Sequence, residues 1–186
     1  MADPSWKDPL DPSFAGERGG RWNPPGSFPT LYLNGDPPTA LLQIHRMLRG
    51  TPVRVDDLDE DAFVLVAATL PRSQTAADGV SETGLRALGL PATYPRARDG
   101  TRVEAEACRP IGAAIRKREL RGLWCRSTLP DEEGADMGKG REVAWLPAGG
   151  RSVARRVWDQ PLPLGRWRHV AGWAELGLPD QRDPAP

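Results

Sequence analysis

The chain has 186 residues and 20.3 kDa, with 25 basic and 25 acidic residues and a formal net charge of zero. That length suits one domain with a buried core. The balanced charge supplies no global field to steer the chain onto nucleic acid or a membrane surface, and no apolar run of about 18 residues offers a transmembrane helix. The start, Met1-Ala2-Asp3-Pro4-Ser5-Trp6-Lys7, lacks an apolar signal core, so a cytoplasmic location is expected. Cys108, Cys125, His45 and His169 fall at no metal-ligand spacing and make no disulfide scaffold, so no metal is expected.

Twenty Pro and twenty Gly punctuate the chain into short elements and tight loops. Residues 1–18, rich in Asp and Pro, read as irregular. Gly19-Gly20-Arg21-Trp22-Asn23-Pro24-Pro25-Gly26 reads as a rigid loop, and residues 31–33 as a short strand. Asp36-Pro37-Pro38 opens a helix over 39–49 with Leu41, Ile44, Met47 and Leu48 on its apolar side and Gly50 as its stop. The acidic run 56–61 reads as a solvated turn, 62–70 as a buried strand and 71–80 as loop. Ser81 starts a short helix over 81–88, closed by Gly89, and 91–100 is loop again.

Thr101-Arg102-Val103-Glu104 has the pattern of a capping box. The helix after it keeps Val103, Ala107, Ile111 and Ile115 on one face, with Pro110 breaking or kinking it midway. Strands follow at 122–125, 142–146 and 153–158, with a charged, Gly-bearing loop at 129–140 and a fraying tail at 179–186. Strands and helices interleave irregularly, which favours α+β over a doubly wound sheet.

Arg21, Tyr32 and Gln43 are spaced by eleven residues each, on the loop, the strand and the helix in turn. Ser127 adds a fourth polar point at the end of a strand. A glycine-rich turn beside an Arg suits anion capture, through exposed backbone N–H groups and the guanidinium fork. Glu17 and Glu142 flank these points, with solvent exposure as the default for both. His45, two residues beyond Gln43, points to a different helical face, and Cys125 beside Trp124 reads as core rather than nucleophile. Trp158, Trp167 and Trp173, with Arg166, Arg168 and His169 among them, read as a packing flap or protein-interface patch, because the nearby acids argue against nucleic acid.

On the Gly19–Gly26 block, Leu31-Tyr32-Leu33, Ala40-Leu41-Leu42-Gln43, Ile111-Gly112 and Gly122-Leu123-Trp124-Cys125-Arg126-Ser127, the sequence resembles the RES-domain family over residues 9–147. That family supplies the toxin half of many bacterial RES–Xre toxin–antitoxin pairs. The resemblance implies an ADP-ribosyltransferase-like α+β fold, a split mixed sheet with flanking short helices. It makes the chain a single domain with core 9–147, a C-terminal extension at 148–178 and the tail beyond. It implies consumption of NAD by hydrolysis, phosphorolysis or transfer of ADP-ribose to a protein, through an oxocarbenium-like transition state. It implies an Xre-family antitoxin as partner.

By resemblance, Arg21 clamps the NAD phosphate or ribose, Tyr32 stacks on nicotinamide, Ser127 binds the ribose or amide, and Gly20 and Asn23 complete the NAD-binding loop. Position 43 departs from the family, holding Gln where the pattern has Glu. Losing that carboxylate beside an oxocarbenium removes about 2–4 kcal/mol of stabilisation, so Gln43→Glu is expected to raise NAD consumption. The amino end departs too: the family usually opens with an Arg-bearing strand, and residues 1–8 offer Trp6-Lys7. Two alternatives follow from Gln43: a protein ADP-ribosyltransferase with a non-standard acidic position, and a RES-fold binding module without turnover.

Overall fold

Two sheets organise the described residues. The computed structural model describes residues 2–59, 61–128, 140–149 and 152–161. Strands β1 (Leu31–Asn34), β5 (Arg141–Trp145), β4 (Gly122–Arg126) and β3 (Ala77–Gly79) form a mixed sheet in the order β1-β5-β4-β3, in which β3 and β4 run parallel and the other pairs antiparallel. Strands β2 (Val64–Thr69) and β6 (Arg155–Pro161) form a separate antiparallel pair with a bulge at Ala67/Ala68. Helices α1 (Ser13–Arg18), α2 (Pro37–Leu48), α3 (Glu82–Ala87) and α4 (Ala105–Lys117) surround them. None of the described helices is long and apolar enough to cross a membrane.

The twofold alternation of side chains along a strand sorts the four-stranded sheet into two faces. Register pairs Tyr32 with Ala144, Leu123 with Ala144, and Cys125 with Glu142. That face packs with Trp22, Tyr94, Leu85 and the α4 residues Cys108 and Ile115 in one core cluster. The opposite face, with Leu31, Val143 and Trp145, packs with Leu10 and Ala154. A third cluster joins Ala40, Leu41 and Ile44 of α2 to Leu65 of β2.

Helix α2 begins as its sequence directs: Asp36 accepts the Thr39 N–H at 2.7 Å, and proline fills the first turn. The capping box before α4 does not form. Glu104 is the N-cap residue and makes no side-chain cap bond, while the Thr101 hydroxyl donates instead to Asp99 at 2.6 Å. The local Asp-x-Thr turn satisfies that hydroxyl first. Pro110 does not end the helix, which runs on to Lys117. Proline there forgoes a bond to the Glu106 carbonyl, and the buried face around Cys108, Gly112 and Ile115 holds the helix together.

Two stretches read as irregular carry structure. Residues 1–18 contain α1, and Ala2 exchanges backbone hydrogen bonds with Val64 at 2.8 and 2.9 Å. Residues 71–80 contain β3, only three residues long with Gly79 at its end, too short for an alternating pattern. The last strand spans Arg155–Pro161 rather than 153–158. Residues 129–139 of the charged loop, Trp167, Trp173 and the tail lie outside the described residues.

Candidate functional site

Arg21 is held from behind. Its Nη1 donates to the Val103 carbonyl at 2.7 Å, and the Cys108 Sγ lies 3.9 Å away. A guanidinium carries five N–H donors, so this anchor leaves much of the fork for other partners. Burial works against the Arg21 charge, yet the acidic groups beside it, Tyr94, Cys108 and Glu142, hold its pKa above the ordinary value. Val103 also lines a shallow cavity of about 370 Å³ with Gly89, Leu90, Pro91, Ala97 and Arg98.

The loop bearing Arg21 is locked by its own polar groups. The Tyr32 hydroxyl accepts from the Trp22 N–H at 2.9 Å and donates to Asn23 Oδ1 at 2.7 Å. Asn23 is fully buried, and its Nδ2 donates to the Ala15 carbonyl at 2.5 Å and to that of Phe28 at 3.4 Å. The Gly20 N–H donates to the Asn23 carbonyl at 2.9 Å, and the Gly20 carbonyl accepts from Arg109 Nε at 3.2 Å. A Cβ on Gly20 would lie 2.4 Å from the Tyr32 hydroxyl, so only glycine fits there.

These contacts bear on two assignments. Asn23 and Gly20 were expected to bind the ligand, but the protein already uses their polar groups, and both act by shaping the Arg21 loop.

Across from Arg21 stands a carboxylate. Ser127, buried at the end of β4, donates its hydroxyl to Glu142 Oε2 at 3.3 Å, and the Cys125 thiol approaches Oε1 at 3.6 Å. Burial raises the Glu142 pKa, while Arg21, Cys125, Trp22 and Ser127 pull it back down. Arg21 and Glu142 act on each other without forming an ion pair. The Trp22 Nε1 is buried and has no hydrogen-bond partner among the described residues, although it lies close enough to favour the charged Glu142. The ring centroid of Tyr94 is 6.0 Å from that of Trp22, and its buried hydroxyl has no hydrogen-bond partner among the described residues.

Burial pushes the Tyr32 phenol and the Cys125 thiol far up, and the Cys108 thiol up as well, so all three stay protonated. A protonated, enclosed thiol is no nucleophile, which agrees with Cys125 as core.

Arg21, Tyr32 and Ser127 therefore meet at one cluster, through Trp22, Glu142 and the two cysteines. Gln43 makes no hydrogen bond to them among the described residues. It lies half-buried on α2, whose buried side packs on β2 in a separate cluster. His45 shares that helix. Glu17 is exposed on α1, as expected, but Glu142 is not. Its position on the second strand of the sheet, between β1 and β4, turns it to the same face as Tyr32 and Cys125. Within the sequence, only the twofold step from Ala144 to Glu142 hinted at an inward carboxylate.

The RES domain family model matches residues 2–167. Among solved structures, the chain is similar to a chain of the M. tuberculosis MbcT–MbcA toxin–antitoxin complex, with a TM-score of 0.61, 19% identity, and coverage of 88% of this chain and 82% of that one. No curated protein matches the sequence. The family match extends beyond residues 9–147 at both ends and takes in both sheets, and the mixed sheet with short helices accords with the α+β class. The chain belongs to the RES domain family.

Proposed function

We propose that this RES-domain protein is the toxin of a toxin–antitoxin pair and that it breaks the N-glycosidic bond between nicotinamide and ribose in NAD. The observation that carries this reading is that Arg21, anchored on Val103, acts electrostatically on the Glu142 carboxylate held by Ser127, next to the buried Trp22–Tyr94 core. A rigidly backed guanidinium suits the NAD pyrophosphate or a ribose hydroxyl. Ser127 suits the ribose or the nicotinamide amide, and the Tyr32 ring, whose hydroxyl is already engaged, offers a face for nicotinamide. Positioning plus electrostatics at the developing cation accounts for most of the rate gain in such a cleavage. Water, phosphate or a protein side chain then accepts the ADP-ribosyl group.

Similarity to the MbcT–MbcA complex supports an antitoxin as partner, and the family resemblance supports one of the Xre type. The rival reading, a binding module without turnover, rests on Gln43 alone. The deciding experiment measures nicotinamide release by the purified chain, with and without phosphate, against Arg21→Ala. Release by the wild type that Arg21→Ala abolishes supports the proposal. NAD binding that depends on Arg21 but yields no nicotinamide supports the binding module, and absence of both binding and release overturns the reading.

A further inference from the structure

We infer that Glu142 supplies the carboxylate that position 43 lacks, facing the ribose of the scissile bond. This inference rests on the NAD-cleavage reading and assigns its charged group to β5 rather than to α2.

The register gives the first reason. Glu142 stands beside Cys125 across the β4–β5 ladder and shares its face with Tyr32 and Ala144, so the strand period aims it at the Arg21 cluster. The second is its fixed orientation. Ser127 holds Oε2 at 3.3 Å and the Cys125 thiol lies 3.6 Å from Oε1, leaving lone pairs on both oxygens for a ligand. The third is the company it keeps. A carboxylate turned into a sheet's inner face is disfavoured unless a partner compensates it, and the cation that acts on it, Arg21, makes no direct pair with it. A substrate carrying phosphates at one end and a developing positive charge at the other complements that separated pair. Gln43 sits on α2, whose buried residues pack on β2, and no hydrogen bond among the described residues links it to Arg21, Tyr32 or Ser127.

In the step, the bond between ribose C1′ and the nicotinamide nitrogen breaks. Its electron pair leaves with nicotinamide, which departs neutral. The positive charge spreads over C1′ and the ring oxygen, opposite the negative carboxylate of Glu142. A water oxygen then donates a lone pair to C1′ and releases one proton to solvent. Glu142 keeps its charge throughout.

The test compares E142Q, E142D and Gln43→Glu with the wild type, reading kcat and KM for nicotinamide release, with NAD binding followed separately by calorimetry and folding by circular dichroism. The expected result is a fall of about a hundredfold to a thousandfold in kcat for E142Q with KM within threefold. E142D, which keeps the charge, should exceed E142Q by at least tenfold, and Gln43→Glu should stay within threefold of the wild type. Wild-type turnover that E142Q leaves intact overturns the inference but not the NAD reading. Equal losses in E142Q and E142D overturn it as well, because they mark a structural role. A large gain from Gln43→Glu with E142Q unchanged returns the acid position to α2. A wild type that neither binds nor cleaves NAD overturns the NAD reading, and the inference with it. If E142Q fails to fold, E142D decides: activity within thirtyfold of the wild type supports the charge, and complete loss in a folded E142D refutes it.

Discussion

Gly112 of α4 abuts the carbonyl of Trp22 so closely that a Cβ at position 112 would lie 1.6 Å from that oxygen. The second long helix is thereby set directly against the backbone of the Arg21 loop, and Arg109, one turn earlier, ties down the Gly20 carbonyl at 3.2 Å. Neither the helix nor the loop can give way locally, because the oxygen is backbone and its neighbour Trp22 is buried. Gly112→Ala is therefore expected to lose about 1–3 kcal/mol of stability, and to displace Arg21 along with the loop. Urea denaturation measures the first effect and NAD titration the second; a midpoint within error of the wild type would refute the contact.

The Tyr32 hydroxyl is the hinge pin of the same loop. Tyr32→Phe keeps the ring but strands the Trp22 N–H and one acceptor of fully buried Asn23. A loss of about 1–3 kcal/mol is expected from those unpaired groups, while any contact of the ring with nicotinamide survives. Chemical denaturation alongside nicotinamide release separates the two: stability falls more than activity measured well below the transition. A fully stable variant would show that the hydroxyl does not hold the loop.

Arg21 tests the fork itself. Arg21→Lys keeps a positive charge but replaces a planar, multidentate donor with a point charge, and it cannot hold Val103 while gripping an anion. Under the NAD reading, kcat/KM falls by about tenfold to a hundredfold, while Arg21→Ala falls further. Steady-state titration with NAD checks this. Equal kcat/KM in the lysine variant and the wild type would mean that charge alone serves.

The Glu142 carboxyl gives a prediction in pH. Burial holds its pKa above the usual carboxylate value of 4.5, so the folded chain binds its proton more tightly than the unfolded chain does. Below the unfolded value the group is neutral in both states and imposes no penalty. As pH rises through that value towards the folded one, a penalty develops, and it is constant above. E142Q removes the penalty, so its stability relative to the wild type should grow from pH 4 upward and then level off. Paired urea melts from pH 4 to 8 measure the difference, in which all other titrating groups cancel. A flat or falling difference would mean that Glu142 is not strained by burial.

Asp36, Pro37 and the spacing of Leu41 and Ile44 announced α2, because a cap and a helical period are local properties. Ser81 and Gly89 framed α3 in the same way. Thr101 misled, because its hydroxyl had a nearer partner in Asp99, and β3 passed unread because three residues make no period.

The sequence by itself determined the family, through the Gly-Gly-Arg-Trp-Asn block and the order of elements behind it, and with that the α+β class. It also singled out Arg21, Tyr32 and Ser127, although Ser127 lies far along the chain from the other two. Only the tertiary structure decided that Asn23 and Gly20 brace the loop, that the buried face of α2 packs on β2, and that Glu142 turns inward beside Ser127. The reason is physical. A cap, a turn or a periodic face is written within a few residues, whereas the neighbour of a strand residue depends on register. The ladder between β4 and β5 aligns Cys125 with Glu142 across an intervening loop, and a slip of one residue would have sent that carboxylate to the opposite face of the sheet.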